Sequence, residues 1–313
     1  MTKNKIEYIE LLRFLAAISV VCVHLPPIKV GAFGVDLFFI ISGFVMMYST
    51  DISKKNFFWK RIFRIIPLYW LFTLTVFLIA IFQPDLLNNT KANLSELVKS
   101  LFFIPFNKSE TGHFPILFLG WTLNYEMYFY LIFGISSIFC FKFRDIISAL
   151  FLVSVVFIFK SSENFILSVY SNPIVIEFIF GMIAYRALWL KKFDIQIFIL
   201  IFLTFLALLI IPHSRAIHLG LPMLAVFSIF HIFFSGKKML NKVYYLGGCS
   251  YSLYLTHPYI IQLIDKTTNL FNVNLTIDIL LIFLSFILTV SIAILVFVFF
   301  ENKLNKKLRS FLS

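Results

Sequence analysis

Long apolar segments separated by short polar or charged stretches make up almost the whole chain. Residues 65–83, 195–212 and 279–300 each approach or exceed the length of about 20 apolar residues that a helix needs to cross a bilayer core. Only helices and closed barrels satisfy their backbone hydrogen bonds inside lipid, and no segment alternates with the period of a barrel strand. The pattern therefore predicts an all-α, polytopic integral membrane protein.

Charged stretches and stretches with Pro or Gly divide the chain into about ten predicted transmembrane helices. These helices run over residues 9–25, 34–51, 65–83, 114–141, 145–160, 170–188, 194–212, 216–235, 243–264 and 276–300. We expect residues 1–313 to form a single transmembrane domain with no appended soluble domain. The first helix carries a charge inside its apolar stretch and lacks a small-x-small cleavage site, so we expect it to be retained.

Composition and charge agree with this class. Apolar residues make up 60% of the chain and charged residues only 13%, whereas soluble domains carry about 25% charged residues. Most of the Lys and Arg residues fall in alternate loops, which become cytoplasmic if the N-terminus is cytoplasmic. This asymmetry places both termini in the cytoplasm and assigns the net charge of +12 to topology and anionic lipid rather than to nucleic acid. These inner-loop residues include Lys60, Arg61, Arg64, Lys142, Arg144, Arg186, Lys191 and Lys192.

The apolar run RFLAAISVVCVH of the first helix begins with Arg13 and ends with His24, eleven residues later. At 100° per residue this spacing returns to within about 20° of the same face, roughly 16 Å further along the axis. An ionisable residue at the centre of a membrane helix costs about 3 kcal/mol on insertion scales. We therefore expect Arg13 and His24 to serve a function at two different depths.

Glu126 is the only charged residue between Phe114 and Phe141. Thr122, Glu126 and Tyr130 recur every four residues, which lines them along one helix face. Glu126 either neutralises a buried Arg or His that holds helices together, or takes part in catalysis, and these two roles are compatible.

His257 ends a second polar face, formed with Ser250 and Tyr254, and the adjacent Gly247 and Gly248 allow helices to approach closely. Counted from the inner end of their predicted helices, His24, Glu126 and His257 all lie about 14 or 15 residues deep, which is roughly 21 Å. The three side chains are therefore predicted to meet at one level. On local sequence alone, a hydrogen-bonded packing histidine also fits His257.

Arg61 and Arg64 lie just before a helix that Pro67 is predicted to begin or kink. Two guanidinium groups three residues apart project together and suit phosphate oxygens, although a cluster that binds lipid headgroups has the same pattern. Asp36 lies in the first turn of its predicted helix, where a carboxylate satisfies free N–H groups and the helix dipole. The remaining histidines, including His113, show no metal-binding spacing, so we expect no metal and no prosthetic group.

Six motifs together resemble the acyltransferase family 3 integral membrane proteins, in particular bacterial O-acetyltransferases of exopolysaccharide and lipopolysaccharide. The motifs are the Arg13 to His24 spacing, GVDLFFIISGFVM, the RxxR of Arg61 and Arg64, WTLNYEMYFY around Glu126, EFIFGMIAY from Glu177, and SYSLYLTHP around His257. They follow the family's order over nearly the whole chain.

The resemblance implies transfer of an acyl group, usually acetyl, from cytoplasmic acetyl-CoA to a glycan hydroxyl. It implies that His24 is the catalytic base or acyl acceptor, that Glu126 orients or charge-balances it, and that Arg13 is a donor-side partner. Arg61 and Arg64 would contact the phosphates of the acyl-CoA. Asp36, Thr122, Tyr130, Ser250, Tyr254 and His257 are expected to support the site.

The expected partners are therefore acyl-CoA, a glycan or lipid-linked saccharide acceptor, and membrane lipid, and the expected location is the bacterial inner membrane. Buried Arg, His and Glu residues also occur in proton relays and substrate paths. A proton-coupled transporter or flippase for a glycan or an acyl intermediate is thus the alternative function.

Overall fold

The computed structural model describes residues 6–25, 30–53, 57–87, 90–107, 114–237, 241–269 and 275–310. These residues form helices joined by turns and short connections, with no strand among them. The all-helical prediction is therefore confirmed for this part of the chain. His113, one of the histidines considered for a metal site, lies outside the described residues.

The described residues form fourteen α-helices, most of which are mainly apolar. They are α1 (Glu7–His24), α2 (Phe33–Ile52), α3 (Phe57–Phe82), α4 (Leu94–Leu101), α5 (Gly120–Phe139), α6 (Arg144–Phe159), α7 (Phe165–Tyr170), α8 (Ile176–Ala184), α9 (Ile195–Ile210), α10 (Leu221–Phe234), α11 (Asn241–Gly248), α12 (Ser250–Asn269), α13 (Leu275–Val296) and α14 (Asn302–Ser310).

Four helical stretches in the described residues are long and apolar enough to cross a membrane. They are Phe33–Ile52, Phe58–Phe82, Ala216–Phe234 and Leu280–Leu308. This agrees with a helical membrane protein, whereas the number of ten spans stays a prediction.

Helix α3 begins eight residues earlier than predicted, at Phe57. Arg61 and Arg64 therefore lie inside the helix. Pro67 also lies inside it, ten residues after its start. The predicted boundary followed the charges, but long basic side chains extend toward water while their backbone stays helical. Arg61 and Arg64 thus sit on a rigid element, one turn apart.

Several other predicted helix boundaries were wrong, because the helical backbone is interrupted at positions where the sequence stays apolar. The predicted helix 114–141 begins only at Gly120, and the predicted helix 243–264 is two helices that break at Cys249. The predicted helix 170–188 is interrupted before Pro173, where the side chain of Asn172 accepts a hydrogen bond from the N–H of Ile174.

The prediction left residues between the helices 65–83 and 114–141 as a connection and missed a short helix there, α4. Its first turn is capped by Asn93, whose side-chain oxygen accepts hydrogen bonds from the N–H groups of Ser95 and Glu96. An N-cap Asn followed three residues later by Glu is a recognised start of a helix. The sequence therefore contained this signal.

The chain divides into two compact units. We call residues 1–35 and 234–313 the terminal unit, and residues 36–233 the central unit. In the terminal unit, α1 packs against α11 and α12, and α12 packs against α13. In the central unit, α6 packs against α5, α8 and α9, while α3 packs against α4 and α5.

Gly247 and Gly248 allow the close helix approach that the sequence predicted. A Cβ at Gly247 would lie 2.3 Å from the Cβ of Glu10 and 2.6 Å from its carbonyl oxygen, so α11 lies directly against the backbone of α1. A Cβ at Gly248 would lie 2.4 Å from the ring of Phe297. Both glycines of the terminal unit therefore make close contacts that any side chain would disturb.

We expect Gly247→Ala to destabilise the protein, because the added methyl group meets backbone rather than a flexible side chain. Overpacking of this kind costs about 1–3 kcal/mol, and the measurement is thermal unfolding of the purified protein in detergent. Gly134→Ala is the matched control, since its new Cβ would lie 3.7 Å from the Phe58 ring at its nearest contact. Equal unfolding temperatures for the two variants would contradict the close approach of α1 and α11.

Candidate active site

His24 and His257 meet in the terminal unit. His24 ends α1 and His257 lies in α12, and their ring centroids are 5.0 Å apart. The Nδ1 of His24 is 3.3 Å from the Nε2 of His257. His257 is completely buried, whereas His24 retains partial access. The prediction that these two histidines share one level is confirmed.

Two backbone carbonyls determine which nitrogen of each ring carries hydrogen. The Nδ1 of His24 is 2.9 Å from the carbonyl oxygen of Val20, and the Nδ1 of His257 is 3.2 Å from that of Leu253. A carbonyl oxygen only accepts hydrogen bonds, so both Nδ1 atoms are the donors in the neutral rings. His257 Nε2 then accepts a second hydrogen bond from His24 Nδ1, and in this tautomer the lone pair of the His24 ring is on Nε2.

The arrangement suits proton transfer at His24 Nε2. When this atom takes a proton, the positive charge is shared with Nδ1–H, which already donates to a carbonyl oxygen and to a neutral imidazole. His257 thus positions His24 and polarises it. The family resemblance implies that Glu126 orients or charge-balances His24, and that role stays a prediction.

Tyr254 and Ser250 surround the pair in different ways. The ring of Tyr254 is 6.1 Å from that of His257 and closes one side of it. The hydroxyl of Ser250 donates to the carbonyl oxygen of Gly247 at 2.7 Å, across the break between α11 and α12. Ser250 therefore stabilises the start of α12.

Arg13 lies on the same helix as His24, so the predicted separation of roughly 16 Å along one face holds. The guanidinium is mostly buried and its Nη1 is 3.0 Å from a carboxylate oxygen of Glu10, the residue on which Gly247 packs. Glu10 is a partner that the sequence interpretation did not assign.

Glu126 forms a polar cluster in the central unit. One carboxylate oxygen accepts hydrogen bonds from Ser42 of α2, at 3.0 Å, and from the Tyr130 hydroxyl one turn along α5. The predicted shared face of Glu126 and Tyr130 is thus confirmed. Thr122 instead donates to the carbonyl oxygen of Leu119 at the start of α5. Whether Glu126 shares the level of the two histidines stays a prediction.

Helix α2 links Glu126 with the basic pair of α3. Arg61 donates to the hydroxyl of Ser49 at 3.0 Å, and Ser49 lies seven residues, about 10 Å, along α2 from Ser42. Arg61 and Arg64 are also close enough to Tyr130 to act on it electrostatically. Glu126, Tyr130, Arg61 and Arg64 therefore form one polar path in the central unit.

Asp36 lies in the first turn of α2 as predicted, but its carboxylate has a stronger partner than the helix end. Nε and Nη2 of Arg215 donate to its two oxygens at 2.8 and 2.6 Å, and Asp36 is completely buried. Glu177, which begins the EFIFGMIAY motif, lies fully buried beside this pair. Two carboxyl groups thus face the guanidinium of Arg215, which lies between the predicted helices 194–212 and 216–235.

We expect Arg215→Met to destabilise the protein, because it leaves the buried carboxyl groups of Asp36 and Glu177 without a cation. Breaking one side of a buried ion pair typically costs about 3 kcal/mol or more. The double variant Asp36→Asn with Arg215→Met should recover part of this loss, since the amide removes the unpaired charge. An unchanged unfolding temperature for the single variant would contradict a structural role for the pair.

Comparison with known proteins agrees with the motifs. The acyltransferase domain of acyltransferase family 3 matches residues 6–298. The exopolysaccharide production protein ExoZ of Rhizobium meliloti (strain 1021) is 31% identical over 252 residues, 76% of this chain and 78% of that protein. A putative acetyltransferase of Acidianus two-tailed virus is 27% identical over 290 residues, 82% of this chain and 84% of that protein.

The O-acetyltransferase OatA of Staphylococcus aureus is 32% identical over 164 residues, which are 46% of this chain and 27% of that protein. No solved structure matches the chain. Because the family match covers nearly the whole sequence and includes both histidines and the Glu126 cluster, the chain belongs to acyltransferase family 3 and is an acyltransferase.

Proposed function

We propose that the protein is an O-acetyltransferase that moves an acetyl group from cytoplasmic acyl-CoA to a hydroxyl of a surface or exported glycan. The family match supports acyl transfer, and two relatives are named as acetyltransferases. The name of a third relative refers to exopolysaccharide production, which supports a glycan acceptor.

The observation that carries this proposal is the pairing of His24 with His257, in which the Val20 carbonyl sets the His24 tautomer with hydrogen on Nδ1 and the lone pair on Nε2. A sugar hydroxyl is a weak nucleophile, so a positioned base must take its proton as it attacks. In this step the hydroxyl oxygen bonds to the thioester carbonyl carbon and its proton passes to His24 Nε2. The C–S bond then breaks, and the CoA thiolate takes the proton from His24.

A second route uses the same lone pair as a nucleophile. His24 Nε2 attacks the thioester carbonyl carbon, the C–S bond breaks, and CoA leaves as the thiolate. The sugar hydroxyl oxygen then bonds to the acyl carbon, the C–N bond to His24 breaks, and the hydroxyl proton passes to the CoA thiolate. Both routes require the same tautomer of His24. The two routes differ in whether the protein itself carries the acyl group before acceptor is added.

Glu126 and Arg13 have electrostatic roles in the proposal. Glu126, held by Ser42 and Tyr130, charge-balances the positive charge that forms on His24 during proton transfer. Arg13 lies about 16 Å from His24 along α1 and acts at the donor side.

Arg61 and Arg64 are proposed to bind phosphate oxygens of acyl-CoA. We expect Arg61→Gln and Arg64→Gln each to raise KM for acyl-CoA about tenfold with little change in kcat. Each substitution removes a charge-assisted hydrogen bond that stabilises the bound donor and the transition state equally. The measurement is initial rate against donor concentration in reconstituted membranes.

Lys60→Gln is the matched control for these variants. Lys60 lies next to Arg61 on the same helix and donates to Ser53, yet it is outside the RxxR pair. We expect its KM to stay at the wild-type value. If the two arginine variants also kept the wild-type KM, the pair would serve to anchor lipid headgroups instead.

We further propose a bacterial inner-membrane location with about ten spans and both termini in the cytoplasm. The asymmetric distribution of Lys and Arg between alternate loops supports this orientation. In the proposed orientation, the end of α3 that carries Arg61 and Arg64 faces the cytoplasm, where acyl-CoA is made.

The function is tested by comparing O-acetyl groups of surface polysaccharide by NMR in cells with and without the protein. We expect O-acetyl signals only in cells that make the active protein. Proton-coupled flux of a glycan without any acyl transfer would overturn the proposal in favour of a transporter.

A further inference from the structure

A cavity of about 730 Å³ lies in the central unit where the end of α2 approaches two connections. One connection joins α5 to α6 and the other joins α8 to α9. The volume falls within the range of about 300–1,000 Å³ that is typical of small-molecule sites. We call this space the Arg144 cavity, and its charged lining residues are Asp51, Lys142, Arg144, Arg186, Lys192 and Asp194.

Two buried arginines form a fixed part of the cavity wall. Arg144 donates to Asp51 at the end of α2. Arg186 is held by Asp145, Asp194 and Gln196. Both guanidinium groups are thus preorganised without needing a ligand.

The two lysines that line the cavity are arranged differently. Lys142 and Lys192 are exposed, and neither forms an ion pair with a described residue. The cavity therefore has two lysine side chains next to two arginines whose charge is largely balanced by carboxylates. This excess of positive charge favours an anionic ligand with phosphate groups, which Lys and Arg bind well.

Aromatic rings lie beside these cations. The Arg144 guanidinium lies 4.1 Å from the centroid of the Phe141 ring, and the Lys142 ammonium lies 5.4 Å from that of Phe143. Phe143 is 39% exposed. An exposed aromatic residue beside a cation offers a stacking surface to a flat base, and stacking of this kind adds about 1–3 kcal/mol per base in nucleic-acid sites.

We propose that the Arg144 cavity binds the nucleotide end of the acyl-CoA donor, an adenosine that carries phosphate groups. Lys142 and Lys192 contact its phosphates, and Phe143 stacks on its base. This inference rests on the proposed function, to which it adds a second donor subsite beside Arg61 and Arg64.

The position of the cavity along α2 fits an extended donor. Asp51 of the cavity lies two residues from Ser49, the partner of Arg61. Ser42, the partner of Glu126, lies nine residues, about 14 Å, from Asp51 along the same helix. A donor whose nucleotide sits in the cavity therefore extends past Arg61 toward Glu126.

The test is binding of adenosine 3′,5′-bisphosphate to the purified full-length protein in lipid nanodiscs, measured by calorimetry. We expect Lys142→Gln and Lys192→Asn each to weaken binding about tenfold, since each removes one charged contact. Lys191→Asn is the matched control. It removes the same charge one residue away, outside the cavity lining, and Asn tolerates the positive φ of 52° at this position.

Wild-type affinity in both lysine variants, or equal loss in Lys191→Asn, would overturn the proposal. Inorganic phosphate and nanodiscs with or without phosphatidylglycerol are the comparison probes. If inorganic phosphate bound as tightly as the nucleotide, or if anionic lipid abolished nucleotide binding, the cavity would be a general phosphate or headgroup site. Failure here leaves acyl transfer by the wild-type protein intact, whereas failure of the proposed function removes acyl transfer itself.

Discussion

His24→Ala is expected to reduce acyl transfer by at least about 100-fold, because general base catalysis contributes roughly 10² to 10⁴ to such reactions. The substitution removes the Nε2 lone pair of the His24 tautomer that the carbonyl of Val20 and the ring of His257 select. The measurement is the initial rate of acetyl transfer to glycan in reconstituted membranes at saturating donor.

The control for this variant is His213→Ala, which changes an exposed histidine in the connection before α10. We expect His213→Ala to retain wild-type activity. Thermal unfolding of all three proteins separates loss of chemistry from loss of fold. Full transfer activity in a folded His24→Ala variant would remove His24 from the mechanism.

His257→Leu is expected to lower kcat about 10- to 100-fold and to leave KM for acyl-CoA nearly unchanged, as typical of losing a residue that orients a catalytic group. Leucine fills the buried space of His257 but accepts no hydrogen bond from His24 Nδ1. The ring of His24 then keeps only the Val20 carbonyl of these two partners.

His257→Gln distinguishes positioning from packing. The side-chain oxygen of Gln accepts a hydrogen bond, so this variant is expected to recover a substantial part of the kcat lost in His257→Leu. Equal kcat values for the two variants would show that His257 contributes only volume. If KM for acyl-CoA rose without a fall in kcat, His257 would instead contribute to donor binding.

The fold class could be predicted from sequence because apolar segments of membrane length dominate the chain. Helix ends were less predictable, because hydropathy depends on side-chain polarity, whereas a helix ends where its backbone hydrogen bonds stop. Helix α3 continues through Arg61 and Arg64 into the charged stretch, and the predicted helix 243–264 breaks at Cys249 without any loss of hydropathy.

Residue spacing predicted that His24 and His257 meet, because both depth and helix face follow from regular helix geometry. It could not predict the tautomers, which depend on the carbonyls of Val20 and Leu253. It also missed the partnership of Asp36 with Arg215, since 179 residues separate them in sequence. The lysines and arginines of the Arg144 cavity were explained by topology alone.

The role of His24 in acyl transfer is tested most directly by acetyl transfer from isotopically labelled acetyl-CoA to a polysaccharide in proteoliposomes, with wild-type protein and His24→Ala compared side by side. We expect label in the glycan, released by mild base as expected for an ester, with the wild-type protein only. Equal labelling by both proteins would contradict it, and so would movement of glycan across the membrane by the wild-type protein without any labelling.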